Sequence, residues 1–219
     1  MILKEWRINL NKVKKIVFLV CVLTLILAFS GCGKSEKKDK KEETLTTNFF
    51  EESDKGFVVV YEEEFDKEYY DKAELEAMID AEITEFNNDY AKDKAKGIVK
   101  DSFKVSGKTA TLKIRFYSWE DYVTYASEYI SSNRNARLFI GTYKDAVAAG
   151  FNFAGKYVSN DGSTSYDVST TSEDAMVVFT NEGFVMELSG DVIAYNENVT
   201  VKSGKVKTSN RRENYIIFK

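Results

Sequence analysis

Residues 57–90 read FVVVYEEEFDKEYYDKAELEAMIDAEITEFNNDY, and this stretch decides the fold class because its hydrophobic period changes in the middle. From Phe57 to Phe65 the pattern is that of a strand: Phe57, Val59, Tyr61 and Phe65 fall on one face, Val58 and Val60 on the other. Apolar groups on both faces predict a central strand covered on both sides. From Asp71 to Tyr90 the period becomes helical. Leu75, Met78, Ile79, Ile83 and Phe86 make one stripe, and Asp71 followed by Glu74 reads as a capping box at the helix start.

Working downstream, Ile98–Val105 and Thr109–Tyr117 alternate like two strands paired about Ser106-Gly107, with Ala110, Leu112, Ile114 and Phe116 pointing one way from the second. Ser118 is placed to cap a second helix running to about Ile130, whose shared face holds Trp119, Tyr122, Val123, Ala126 and Ile130. Arg137–Tyr143 adds a short strand. The order strand, helix, strand, strand, helix, strand is that of a ferredoxin-like or split βαβ unit, and a cystatin-like sheet wrapped on one long helix satisfies the same order. After Phe151 helical periodicity stops. Apolar runs at 175–180, 184–188, 192–195, 199–202 and 215–218, punctuated by Asn181-Glu182-Gly183, Ser189-Gly190 and Ser203-Gly204, predict an antiparallel meander. The expected fold class is therefore α+β: a βαββαβ core over 49–150, followed by a β-rich section over 151–219 packed on the Val58 and Val60 face.

Upstream of this body, Lys4, Arg7, Lys12, Lys14 and Lys15 precede an unbroken apolar run from Ile16 to Ser30. That is the order of a secretory signal, and at about 1.5 Å per residue the run reaches roughly 22 Å, short of the roughly 30 Å of a bilayer's hydrocarbon. The run ends in Leu27-Ala28-Phe29-Ser30-Gly31-Cys32-Gly33, which resembles the lipobox of bacterial lipoproteins. The resemblance implies a signal peptide over 1–31, cleavage between Gly31 and Cys32, and a diacylglyceryl thioether on Cys32. The alternative is an uncleaved signal anchor with Cys32 an ordinary thiol. Residues 32–48, carrying charges of both signs and a single leucine, read as the lipidated cysteine and a solvated tether. The body itself is similar to small uncharacterised lipoproteins of low-G+C Gram-positive bacteria in the stretches 65–70, 141–150 and 198–201. That resemblance implies no activity.

Composition bounds the chemistry. The 219 residues include no histidine, no proline and two cysteines, so Ser-His-Asp triads, Cys-His nucleophiles and imidazole-ligated metals are excluded. Loss of 1–31 takes five basic groups from 31 and one acid from 35, which leaves a net charge of −8 and makes nucleic acid a poor partner. With Cys21 discarded and Cys32 capped, no disulfide is available, and stability rests on packing.

The densest acidic patch, Glu62, Glu63, Glu64, Asp66, Glu68 and Asp71, supplies oxygen ligands without the spacing of a calcium loop. It reads as a solvated strand end and favourable charge at a helix N-terminus. Asn160-Asp161-Gly162-Ser163 reads as a turn. Ser35 and Lys38, the only Ser-x-x-Lys, lie in the tether. Tyr122, Tyr125 and Tyr129 share one side of the second helix, with Tyr122 expected in the core and Tyr125 partly exposed. Lys113, Arg115, Arg134, Arg137, Arg211 and Arg212 are too scattered along the chain to define a basic site, and no phosphate-cradling glycine loop is present. No catalytic, cofactor-binding or metal residue is nominated, and no cofactor is expected. The function expected is a non-catalytic binding or structural role in the cell envelope, anchored to the membrane by lipid and facing an envelope protein or glycan. The alternative is a carboxylate-dependent hydrolase of envelope polysaccharide, which requires two facing acids.

Overall fold

The computed structural model describes residues 48–53, 56–65, 71–130, 135–162 and 164–219. The signal-like segment with Gly31 and Cys32, most of the tether, Asp66, Glu68, Arg134 and Ser163 lie outside them. Among the described residues no helix is long and apolar enough to cross a membrane.

Strands β1 (Asn48–Ser53) and β2 (Gly56–Glu64) form an antiparallel hairpin in which Phe50 faces Val59. Gly56 makes the return possible. Its φ is 92°, and a Cβ there would meet the Phe116 carbonyl oxygen at 2.3 Å, so only glycine fits. Helix α1 (Lys72–Asp89) begins where the sequence places it: the Glu74 N–H donates to Asp71 Oδ1 at 2.9 Å. Strands β3 (Ile98–Ser106) and β4 (Thr109–Phe116) follow, and β4 pairs antiparallel with both β2 and β3. Thus β2 and β3 run in the same direction on either side of β4, joined by a helical crossover.

Helix α2 (Trp119–Tyr129) is capped by Ser118, whose Oγ accepts from the Asp121 N–H at 3.0 Å. The next strand, β5 (Leu138–Thr142), leaves the sheet formed so far and pairs with β7 (Met176–Thr180). The four strands read as one ferredoxin-like unit therefore do not share a sheet. The place beside β2 is filled by β1, and the far edge of β1 takes β8 (Phe184–Glu187) in parallel register. Between β5 and β7 lie helix α3 (Tyr143–Ala148) and the short strand β6 (Tyr157–Ser159), neither of which the sequence reading separates.

The C-terminal strands are β9 (Val192–Asn196), β10 (Thr200–Lys202), β11 (Lys205–Lys207) and β12 (Asn214–Phe218). Instead of a simple meander, they alternate between two sheets. One has seven strands in the order β10-β11-β8-β1-β2-β4-β3; the other has five in the order β5-β7-β12-β9-β6. The described chain is thus α+β, mostly strand, with three helices and two sheets.

One apolar cluster fills the space between elements. From the seven-stranded sheet it takes Phe50, Phe57, Val59, Ile114, Phe116, Phe184 and Met186. The helices give Ile83, Phe86, Tyr122, Tyr125 and Ala126, and the five-stranded sheet gives Leu138, Val178, Ile216 and Phe218. A second cluster covers the opposite face of the five-stranded sheet, where Phe139, Val177, Phe179, Tyr215 and Ile217 meet Ala146 of α3 and Tyr157 of β6. Every residue of β12 is buried as a result, alternate side chains going to the two clusters.

Two expectations are corrected here. The C-terminal strands close over the face of β2 that carries Phe57 and Val59; Val58 and Val60 belong to neither cluster. The cross-strand neighbours of Val58 are Glu51 and Arg115, and Lys113 lies beside Val60, so long polar side chains share that face. Met78, assigned to the buried stripe of α1, is 45% exposed, whereas Ile83 and Phe86 are buried.

Packing of α1 makes a direct prediction: Ile83→Ala lowers stability by about 2–5 kcal/mol, while Met78→Ala changes it by less than about 0.5 kcal/mol, both read from denaturant melts. A change of equal size in both would invalidate the assigned helix face. Removing everything after Phe151 takes away β8, the partner of β1, along with Val178, Ile216 and Phe218. Residues 48–150 alone are therefore expected to show no cooperative melt, followed by circular dichroism against temperature.

Candidate functional site

Two groups of polar side chains stand out against this core. The first is a chain of phenols and carboxylates between α1, α2 and the β7–β8 turn. Tyr122, fully buried on α2, donates its hydroxyl to both oxygens of Glu182 at 2.9 and 2.8 Å, and Glu182 is itself only 5% exposed. One turn along α2, Tyr125 donates to Glu82 of α1. Tyr61 of β2 lies near both acids. Its buried hydroxyl makes no hydrogen bond among the described residues, and burial, then Glu182, then Glu82, push its phenol well above the ordinary range. Burial also raises Tyr125, with the Glu82 charge next in importance. Burial raises the carboxyl of Glu82 from its ordinary value, opposed by the bond from Tyr125. Tyr61 and Tyr125 are thereby held in the protonated form at neutral pH, and the Tyr122 and Tyr125 hydroxyls donate to the carboxylates they face. The arrangement orients one acid inside the core, Glu182, and one at its edge, the half-buried Glu82, each engaged by a tyrosine hydroxyl.

The second group lines a surface cleft at one end of the five-stranded sheet, with a cavity volume of about 220 Å³. Arg137, just before β5, and Glu213, just before β12, form its rim, and their side chains pair at 3.0 Å. The guanidinium carbon also lies 4.7 Å from the centre of the Phe179 ring, within cation–π range. Phe151, Asn152 and Tyr215 complete the lining, next to Gly150. The rings of Phe151 and Tyr215 each approach Phe179 to 4.9 Å. Burial and the Glu213 charge raise the Tyr215 phenol, and the positive charge of Arg137 works against them.

Asparagines hold the rim in place. The Arg137 N–H donates to Asn181 Oδ1 at 2.8 Å, and the Glu213 carbonyl accepts from Asn196 and Asn198 at 2.7 and 3.0 Å. Asn214, fully buried, donates to the carbonyls of Thr180 and Arg212 and so fixes the segment that carries Glu213. Gly150 has φ of 84°, and a Cβ there would meet nothing within 4 Å, which keeps that wall of the cleft low.

The other residues singled out in the sequence fall elsewhere. Tyr125 is 4% exposed where partial exposure was expected, because Glu82 and Phe86 of α1 lie over it. Tyr122 is in the core as expected, and Tyr129 stacks on Tyr125 with ring centres 5.2 Å apart. Glu62, Glu63 and Glu64 end β2, and Asp71 caps α1. Among the described residues no group of three or more acids and cysteines is arranged to hold a metal ion. Asp161 and Gly162 form a turn in which the Gly162 N–H donates to the Ser159 carbonyl at 2.8 Å. Arg115 binds Asp101 through two hydrogen bonds and Lys113 pairs with Glu51. Phe151, Asn152, Glu213 and Tyr215 carry no functional signal in the sequence, where Phe151 and Tyr215 mark only the start of the β-rich section and of its last strand. Arg137 and Glu213 are 76 positions apart, and only the pairing of β5, β7 and β12 brings them together.

The half-buried Glu82 has a pH signature. Because the folded-state pKa of Glu82 is raised above the ordinary 4.5, the folded chain holds this proton more tightly than the unfolded chain. Its effect on stability is neutral below 4.5 and turns unfavourable as pH climbs through the folded value. Glu82→Gln is accordingly expected to raise the melting temperature at pH 7 and to have no stabilising effect near pH 4. A variant that destabilises equally at both pH values would contradict the assignment.

Comparison with protein-family models, with curated protein sequences and with solved structures finds no match to this chain.

Proposed function

We propose that the protein is a membrane-anchored lipoprotein of the extracytoplasmic face, whose folded domain is a non-catalytic binding module of the cell envelope, with the Arg137–Glu213 cleft as its binding site. The observation that supports the binding reading is the cleft itself: a small, half-open, mostly polar site in which Arg137 and Glu213 are held in place by their neighbours. The anchor rests on the basic segment, the apolar run Ile16–Ser30 and the lipobox-like ending at Cys32.

Hydrolysis of polysaccharide needs two carboxyl groups about 5–9.5 Å apart across an accessible bond. Glu213 is the one carboxylate in the described lining of the cleft, and Glu82 and Glu182 lie outside it, each engaged by a tyrosine hydroxyl. These placements favour binding over the hydrolase alternative.

Intact mass spectrometry of the chain extracted from membranes tests the anchor. The expected product lacks residues 1–31 and begins at a diacylglyceryl-modified Cys32, and Cys32→Ser abolishes both the processing and the lipid. A wild-type chain that begins at Met1 would remove the basis for the localisation.

A further inference from the structure

We infer that the Arg137–Glu213 cleft is a subsite for one neutral sugar ring of a glycan, an inference that rests on the binding reading above and names its ligand class. The rim places a cation and an anion side by side at 3.0 Å, so the site carries no net charge. A simple anion would meet Glu213 and a simple cation would meet Arg137. A neutral polyol meets neither penalty, because every hydroxyl both donates and accepts.

The unused valences fit such a ligand. Among the described residues the only side-chain hydrogen bond of the Arg137 guanidinium is to Glu213 Oε1, which leaves its remaining N–H groups to donate and Glu213 Oε2 to accept. Adjacent hydroxyls of a pyranose present that pairing and leave the ion pair closed. A free amino acid, by contrast, would match its two charges only by opening the Arg137–Glu213 bond.

The floor accounts for the rest of a sugar's surface. Tyr215 is buried, and the half-buried Phe151 beside it in the lining gives the cleft its apolar contact, which takes part of the C–H side of a ring as it takes other apolar groups. At about 220 Å³ the cavity lies below the roughly 300–1,000 Å³ of sites for drug-sized molecules, so it accommodates one small ring with the rest of a polymer outside. The open space beside Gly150 gives a chain of sugars a way out.

The test titrates the full mature chain in detergent micelles with two neutral probes, the β-1,4-linked tetramer of N-acetylglucosamine and maltotetraose, by calorimetry. At least one is expected to bind saturably, with an affinity that is nearly the same in 50 mM and 500 mM NaCl because no net charge is paired. Arg137→Gln and Glu213→Gln are each expected to weaken it at least 10-fold. Arg211→Gln, exposed and outside the lining, leaves it unchanged. Melting temperatures of all variants, measured alongside, separate loss of a contact from loss of the fold. If Arg137→Gln unfolds, Glu213→Gln and Asn152→Ala carry the comparison. Absence of saturable binding by both sugars, equal binding by the rim variants, or tighter binding of glycine or a dipeptide would overturn the inference. A wall protein captured at the cleft without any sugar response would overturn the ligand class and leave the binding reading standing. The mass of the mature chain reports separately on the anchor.

Discussion

Strand β1 is six residues long and holds the two halves of the molecule together, because it uses both of its edges. One edge pairs antiparallel with β2 and brings in β4, β3 and the helices; the other pairs parallel with β8 and brings in β11 and β10. Parallel pairing between segments more than a hundred residues apart closes a long loop, and the entropy of that closure must be offset by what the pairing buries. Phe50 supplies the offset at the junction: it is fully buried, stacks on Phe57 with centres 4.9 Å apart, and meets Phe184 at 5.6 Å. One side chain therefore touches both strands that β1 joins, and full burial of such a ring contributes about 1.5–3 kcal/mol.

A second consequence is that the five-stranded sheet becomes an inner layer. Its face with Val178, Ile216 and Phe218 joins the core under the seven-stranded sheet, and its other face is roofed by α3 and the aromatic segment after it. The cleft sits at the end of that layer. Its rim is built from residues that precede β5 and β12, and behind its lining Phe151 and Tyr215 pack on Phe179 of the second apolar cluster. The rigidity of the site thus derives from packing on both sides of the sheet, with asparagine side chains tying the rim segments down.

The local signals in the sequence were reliable where a short-range rule governs. The caps at Asp71 and Ser118, the turn at Ser106-Gly107, and the inward set Ala110, Leu112, Ile114 and Phe116 depend on neighbours three or four residues away or on simple alternation, and these are where the structure puts them. Strand β1 was missed because Asn48–Ser53 has little alternation of its own; it is a strand because β2 and β8 provide partners. The stripe of α1 misplaced Met78 because periodicity gives the angle of a residue about the helix and says nothing of where the covering sheet ends. The pattern of α2 predicts partial exposure of Tyr125 because α2 alone does not reveal that Glu82 and Phe86 of α1 lie against it. The cleft was illegible for a related reason: Arg137, Phe151, Glu213 and Tyr215 belong to separate segments, and no spacing rule connects them.

Strand β1 joins the two halves of the seven-stranded sheet, and the core which that sheet shares with the helices and the five-stranded sheet makes one cooperative unit; native-state hydrogen exchange on the full chain measures that cooperativity most directly. The slowest amides of β1, around Phe50, and those of β12, around Ile216 and Ile217, are expected to exchange with the same opening free energy and the same denaturant dependence, because only global unfolding exposes either. Exchange of β1 and β2 through a separate opening at clearly lower free energy, with β12 still protected, would contradict it.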